Sequence, residues 1–574
     1  MLRNTFSLDH FRHRLAHSEA LPQMVILGLI CGLLCGLVLG SFRLLLELPL
    51  SSFLPGGDSD NFEELSSWYH FFLPIVGSLL LIAVLSRVTP LNRKVGVAHL
   101  LERMAYHQSN LPLVNAVVQL IAASIALLCG HSVGKEGPAI HLGAACGSQL
   151  GQRLKLPNNT LRILAGCGAA AGIAATFNTP LAGVVFAMEV ILLEYTVIGF
   201  MPVMVAAATG TLVVQIMLGN QLVLTVPQLH IESLHEIPYV AFLGLIIGLL
   251  AVLFIALMRA TMKWSDHSVF TYRSKLMLAG ILTGSMALFY PQIMGLGYDT
   301  VTSVLHGEVG IGLLIGIVLA KCVLTPIVLG LGVPAGLIGP TFFIGAMAGG
   351  ILGIFGASAV DQDVANSGFY ALLGMGSMMG AVANAPMAAL VAILELSSNP
   401  NIIFPAMISI VVSNLIARYV FKMPSIFVIS MQLQGLDYRY KPIAQILNGS
   451  AVQSIMTTNF VKSTAIVSEK GAQHALETSP DWVLVEKDND FSFLSPGDLH
   501  LHLRNNFEPH KDIDLLEIPA LRLDASSIDS KATLQEALDR MNNKSTEALY
   551  VLDNQKKITG LLTRSQIEDF YRKD

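Results

Sequence analysis

The chain has 574 residues, of which 53% are hydrophobic and only 13% charged, and its mean hydropathy is +0.61. That balance excludes an ordinary soluble protein of this size, and a net charge of −5 spread along the chain leaves no basic face for nucleic acid. Long uncharged stretches at 24–42, 72–85, 115–130, 197–218 and 237–257 approach or exceed the thickness of a bilayer core. Their unbroken apolar texture predicts membrane helices and not the alternating strands of a barrel.

Residues 1–22 carry Arg3, Arg12, Arg14 and three histidines without the apolar run of a signal peptide, which predicts an amphipathic helix on the cytoplasmic side. Residues 23–436 form the membrane part. Within it, Gly134-Lys-Glu-Gly-Pro138 opens an apolar helix. Such a turn leaves backbone N–H groups aimed at the space before the helix, where an anion satisfies both them and the helix dipole. Lys135 and Glu136 adjoin apolar runs at 114–130 and 139–151, and an ionisable residue at membrane depth is a functional candidate by default. Glu136 is placed to occupy the anion position itself and so to act as a protonatable gate. The plainer alternative is a structural Lys135–Glu136 ion pair.

The motif recurs. Gly336-Leu-Ile-Gly-Pro340 repeats its outline, and a Gly-Ala pair follows both copies at 143–144 and 345–346. Gly166-x-Gly168-x-x-x-Gly172 is echoed by Gly374-x-Gly376-x-x-x-Gly380, and Asn178-Thr-Pro180-x-Ala182 by Asn384-Ala-Pro386-x-Ala388. Eleven residues after each asparagine stands a glutamate, Glu189 and Glu395. Close helix packing explains the small residues but not the matched Asn, Pro and Glu, so the pattern predicts an internal duplication. Stretches 136–150, 161–178 and 340–355 read as too short to span, bracketed by Gly, Pro, Asn or charge. They predict broken or re-entrant helices around a site near the midplane. No His-Glu-x-x-His occurs for an intramembrane metalloprotease, and paired helix N-termini have the wrong polarity for a cation. The six cysteines lie in apolar segments without metal-binding spacing and read as small core hydrophobes.

These residues resemble the CLC family of chloride channels and proton-coupled chloride transporters. Gly134-Lys-Glu-Gly-Pro138 is similar to the family's second anion-site motif and Gly332-Val-Pro-Ala-Gly-Leu-Ile-Gly-Pro340 to its third. The likeness continues through 168–183 and Asn384-Ala-Pro386 to Glu395, and covers 21–435. The resemblance implies an all-α, inverted-repeat homodimer in a bacterial inner membrane, with one pathway per subunit for chloride or a similar anion. It puts Glu136 at the gating glutamate, which replaces an anion in the pathway and carries a proton. Anion contacts then fall at Gly134, Lys135, Gly137, Gly336, Leu337 and Ile338. No enzymatic activity is implied; a non-transporting membrane sensor is the remote alternative.

Three positions depart from the family pattern. Val95, in Lys94-Val-Gly-Val-Ala98, stands where a serine hydroxyl holds the central anion, and Phe427 where a tyrosine opposes it. Losing two neutral donors, each about 0.5–1.5 kcal/mol, implies a weak central site dominated by backbone N–H groups and leaves the anion preference open. Val190 stands where coupled transporters carry an internal proton-transferring glutamate. Valine is the residue of passive channels, yet some prokaryotic exchangers also lack that glutamate, so antiport is the reading adopted and a passive channel its alternative. Glu189 is either a cytoplasmic proton entry or a buried helix partner like Glu395. His99 and His141 read as polar core residues.

From residue 437 charged residues and alternating strands take over. Residues 437–447 read as a linker and 448–574 as a soluble, cytoplasmic tail. Residues 451–499 and 515–572 each predict a strand, an amphipathic helix, paired strands and a closing helix, an order similar to a CBS pair with a divergent first copy. That resemblance implies an adenine nucleotide held by a Ser/Thr-x-x-Asp turn. Ser495-x-x-Asp498 fits, whereas Thr563-x-x-Gln566 lacks the aspartate. Nucleotide binding and a ligand-free, dimer-stabilising role both stay open.

Overall fold

The computed structural model describes residues 20–219, 236–360, 367–436, 446–488, 490–505, 512–553 and 555–573, together with Leu15, Leu224 and Val226. Most of the expected 1–22 helix and residues 437–445 of the expected linker therefore lie outside the described residues. Among those described, eight helices are long and apolar enough to cross a membrane.

The membrane part consists of two matched runs of helices. The first comprises α1 (Leu21–Phe53), α2 (Ser67–Leu85), α3 (Gly96–Tyr106), α4 (Leu113–Leu128), α5 (Glu136–Arg153), α6 (Asn158–Phe177), α7 (Pro180–Phe186) and α8 (Val197–Leu218). The second follows the same order of long, short and broken pieces: α9 (Ile237–His267), α10 (Tyr272–Ala287), α11 (Tyr298–Leu305), α12 (Ile311–Gly330), α13 (Ile338–Val360), α14 (Ser367–Ala383), α15 (Pro386–Ser397) and α16 (Ile403–Leu415). A last helix, α17 (Ile426–Leu433), follows the second run.

Local chemistry explains the matched residues. Asn178 and Asn384 both adopt left-handed backbone, with φ of 59° and 56°, a conformation asparagine tolerates better than most residues. The proline two residues on starts α7 and α15 at N1, where no N–H is needed. Helix pairs α5/α6 and α13/α14 cross at equivalent glycines. A Cβ on Gly143 would lie 2.1 Å from the carbonyl oxygen of Gly168, and one on Gly345 2.3 Å from that of Gly374. Backbone meets backbone there, and no side chain fits.

Three stretches expected to be too short to span prove longer, at 18 residues for α5, 20 for α6 and 23 for α13. Helix α6 and residues 338–356 are in fact of spanning length. Their glycines and polar residues are tolerated because the helices face protein and not lipid: 94% of the most apolar window of α6 is buried.

The two halves also exchange caps. Glu189, in a π-helical turn that continues α7, accepts the N–H groups of Met387 at 3.2 Å and Ala388 at 2.8 Å, at the start of α15. Glu395, on α15, accepts those of Leu181 at 2.9 Å and Ala182 at 2.7 Å, at the start of α7. Each carboxylate satisfies orphan donors and the dipole of the other half's broken helix.

The tail contains β1 (Phe460–Thr464), β2 (Ile466–Val467), α18 (Glu469–Glu477), β3 (Trp482–Lys487), β4 (Asp490–Leu494), α19 (Pro496–Asn505), β5 (Ile513–Asp514), β6 (Arg522–Asp529), α20 (Leu534–Lys544), β7 (Ala548–Leu552), β8 (Ile558–Thr563) and α21 (Arg564–Lys573). The main sheet has the order β1-β3-β4-β6-β7-β8. In each copy a helix connects two parallel strands, β1 to β3 and β6 to β7, and a hairpin strand follows. Alternation of apolar residues buries Val483 and Val485 on one face and Leu484 with Phe493 on the other. Residues 154–160, the link after α5 and the first residues of α6, belong to this compact unit. Asn158 donates its backbone N–H to Lys531 at 3.0 Å and its side-chain amide to Glu536 at 3.0 Å.

Candidate functional site

Helices α5 and α13 begin at one place. The N–H of Gly134 donates to the carbonyl of Gly336 at 2.8 Å and the N–H of Gly336 to that of Gly134 at 2.8 Å, forming an antiparallel bridge between the two halves. A Cβ on Gly336 would lie 2.6 Å from the nitrogen of Gly137, so glycine is required by this approach. Glu136, the first residue of α5, is 0% exposed. Its Oε2 accepts the N–H of Gly339, in the first turn of α13, at 2.9 Å. Its Oε1 accepts the hydroxyl of Tyr298. The carboxylate of one half thus sits on the helix N-terminus of the other, where a small anion would find the same donors.

Of the other expected residues, Lys135, Gly137, Gly336, Leu337 and Ile338 lie at these two helix starts. Leu337 and Ile338 are buried at the start of α13, and Gly137 packs on Gly336. Lys135 is buried with its ammonium 5.5 Å from the Tyr298 ring centroid, and it forms no salt bridge with Glu136. Val95 is the N-cap of α3 and Phe427 is buried in α17, and these two helices pack together. Val190 is buried in the π-helical turn, next to the capping Glu189. His99 and His141 are buried and hydrogen-bonded to each other at 3.0 Å. Among the described residues no group of His, Cys, Asp and Glu could hold a metal.

In the tail, Ser495 accepts the N–H of Asp498 at 3.4 Å, and Asp498 Oδ2 accepts that of Leu521 at 2.9 Å. Thr563 and Gln566 form a reciprocal cap: the Gln566 side chain accepts the Thr563 N–H at 2.8 Å, and the Thr563 hydroxyl accepts the Gln566 N–H at 3.4 Å.

Reading the sequence missed Tyr298, Asp60 and Lys321. For Tyr298 the signal lay in Gly295-Leu-Gly-Tyr-Asp299, a glycine-bracketed break placing phenol and charge in the first turn of a short helix. A cleft of about 860 Å³ reaches this region, lined among others by Arg43, Glu47, Asp60, Lys135, Tyr298 and Asp299. Burial pushes the Asp60 carboxyl from an ordinary 3.8 to about 7, with repulsion from Asp299 next in size. Burial likewise raises Asp299 to about 7, with Glu63 as the next contributor. Both groups hold their protons more tightly in the folded chain. Their contribution to stability is complete below about pH 4 and is lost as the pH rises through about 7. The melting temperature in detergent should accordingly fall between about pH 4 and 7, and an Asp60→Asn/Asp299→Asn variant should flatten that fall; equal slopes contradict the assignment.

A family model described as voltage gated chloride channel matches residues 76–418, more than half of the chain, and a CBS domain model matches residues 521–572, which is the second tail copy. A Ralstonia nicotianae protein carrying the name chloride channel protein ClcB-like is 28% identical over 352 residues, 60% of this chain and 81% of that one. A Yersinia pestis protein named H(+)/Cl(-) exchange transporter ClcA is 30% identical over 310 residues, 53% of this chain, and the match spans 65% of that protein's length. Among solved structures, a slow cyanobacterial Cl-/H+ antiporter has the same fold, with a TM-score of 0.64 at 20% identity over 72% of this chain and 98% of that one. With the duplicated helix starts and the seated carboxylate, the match over 76–418 makes the chain a member of the CLC family, described as voltage gated chloride channels, with a CBS-containing tail.

Proposed function

We propose that this protein exchanges chloride, or a similar small anion, for protons across a bacterial inner membrane, as a homodimer with its described tail in the cytoplasm. The carrying observation is the Glu136 carboxylate seated on the Gly339 N–H at the start of α13. When charged it fills the anion's place; when protonated it gives up that attraction and an anion enters. The Yersinia relative's name supports the exchanger reading. Val190, an apolar residue where coupled relatives carry an internal glutamate, favours the second reading, a passive channel. Glu189 supplies no obvious relay, since both its oxygens cap α15, and we read it as structural. Reconstituted vesicles with parallel chloride and proton recording test the proposal: an anion gradient should drive protons uphill, and anion flux that never does so leaves the channel.

For the tail we propose one adenine-nucleotide site per chain, at Ser495 and Asp498. Asp498 keeps its Oδ1 for a ribose hydroxyl, while the Thr563 hydroxyl is already engaged with Ser565 and Gln566 and its turn has no carboxylate. Calorimetry on the full chain should show a single site that Asp498→Ala removes, and no heat at millimolar nucleotide makes the tail purely structural.

A further inference from the structure

We propose that the Tyr298 phenol is the latch that holds the Glu136 carboxylate in the anion pathway, and thereby sets the pH at which the gate opens. This rests on Glu136 being the gate. Tyr298 is a positioning residue: it acts through Glu136, and its own place is fixed from several elements. Its backbone N–H is held by Asp60 Oδ2 at 3.2 Å. The preceding Gly297 has φ of +74°, and a Cβ there would lie 2.6 Å from the Phe343 ring. Lys321, fully buried on α12, donates to the carbonyl of Leu296 at 3.3 Å and lies 3.8 Å over the Phe343 ring centroid. The Tyr298 ring is 6% exposed and packs by Phe177, with ring centroids 6.2 Å apart.

From that platform the hydroxyl reaches Oε1 while Gly339 holds Oε2. Both are donors, and donors bind a carboxylate more strongly than a neutral carboxyl. The phenol therefore favours the charged, seated gate. The bare Gly339 makes room for it, since a Cβ there would come within 3.1 Å of the Tyr298 oxygen and 2.8 Å of Glu136 Oε2. The surrounding charges are Lys135 beside the gate, Lys321 on α12, and Arg43 and Glu47 on α1. Asp60, in the loop after α1, interacts with Tyr298 and Lys135, and Asp58 and Glu63 from the same loop and Asp299 from α11 surround Asp60 in turn. Replacing the phenol by phenyl leaves all of these in place.

The test is anion flux against pH in vesicles for Tyr298→Phe. Without the latch the seated gate is less favoured, which should move the midpoint of activation up by about one to two pH units and leave the acid-limit flux unchanged. A 3-fluorotyrosine at 298, a stronger donor of nearly the same volume, should move the midpoint down. In a Glu136→Gln background Tyr298→Phe should change nothing. A wild-type midpoint in both 298 variants overturns the latch, as does an undiminished shift in the Glu136→Gln background. Wild-type flux without pH dependence, or pH dependence retained in full by Glu136→Gln, overturns the gate itself and the latch with it.

Discussion

Glu136→Gln should leave anion flux running while abolishing its steep pH dependence and all coupled proton movement. The amide has the shape of the carboxyl but carries neither a charge nor a titratable proton, so it stands for the protonated gate at every pH. It still accepts the Gly339 N–H, but a neutral hydrogen bond replaces a charge-assisted one. The difference of about 1 to 2 kcal/mol shifts the contest for that N–H toward the anion by roughly five- to thirtyfold. Flux recorded with and without a proton gradient checks this. A folded Glu136→Gln protein that moves no anion contradicts the gating role.

The second large effect concerns the exchanged caps. Glu189→Ala and Glu395→Ala each strip two backbone N–H groups of their acceptor at a broken helix start. At about 1.5–3 kcal/mol per charge-assisted bond, each change should cost about 3 to 6 kcal/mol, a large part of the stability of an ordinary domain. Because the caps are related by the duplication, the two variants should melt at similar, strongly lowered temperatures. Glutamine keeps an acceptor for one N–H and should cost about half as much. Melting curves together with flux separate this from a proton-entry role for Glu189: loss of coupling in Glu189→Gln at wild-type stability would place that residue on the proton path.

The duplication was legible because its signature is local. Asn178 and Asn384 mark the same left-handed turn, and Pro180 and Pro386 the same helix start. Gly134 and Gly336 could be read as anion-facing turns for the same reason, although nothing local reveals that they pair with each other. Helix lengths misled where lipid-facing apolarity was taken as the criterion: α6 and α13 lie largely within protein, so glycine and polar residues do not end them. The contacts that complete the site were beyond reach because they join distant segments. Tyr298 meets Glu136 across 162 residues, and the caps of Glu189 and Glu395 cross 198 to 214 residues. No periodicity or spacing carries such pairings; they follow from how the two halves fold against each other.

Coupling is the central claim, and one measurement addresses it. In vesicles holding the purified full chain, with the membrane potential clamped, an outward chloride gradient should drive protons inward against their own gradient, and Glu136→Gln should abolish that movement while chloride efflux continues. Chloride efflux from the wild-type protein with no proton movement at any pH between 4 and 8 would contradict exchange and leave a passive pathway.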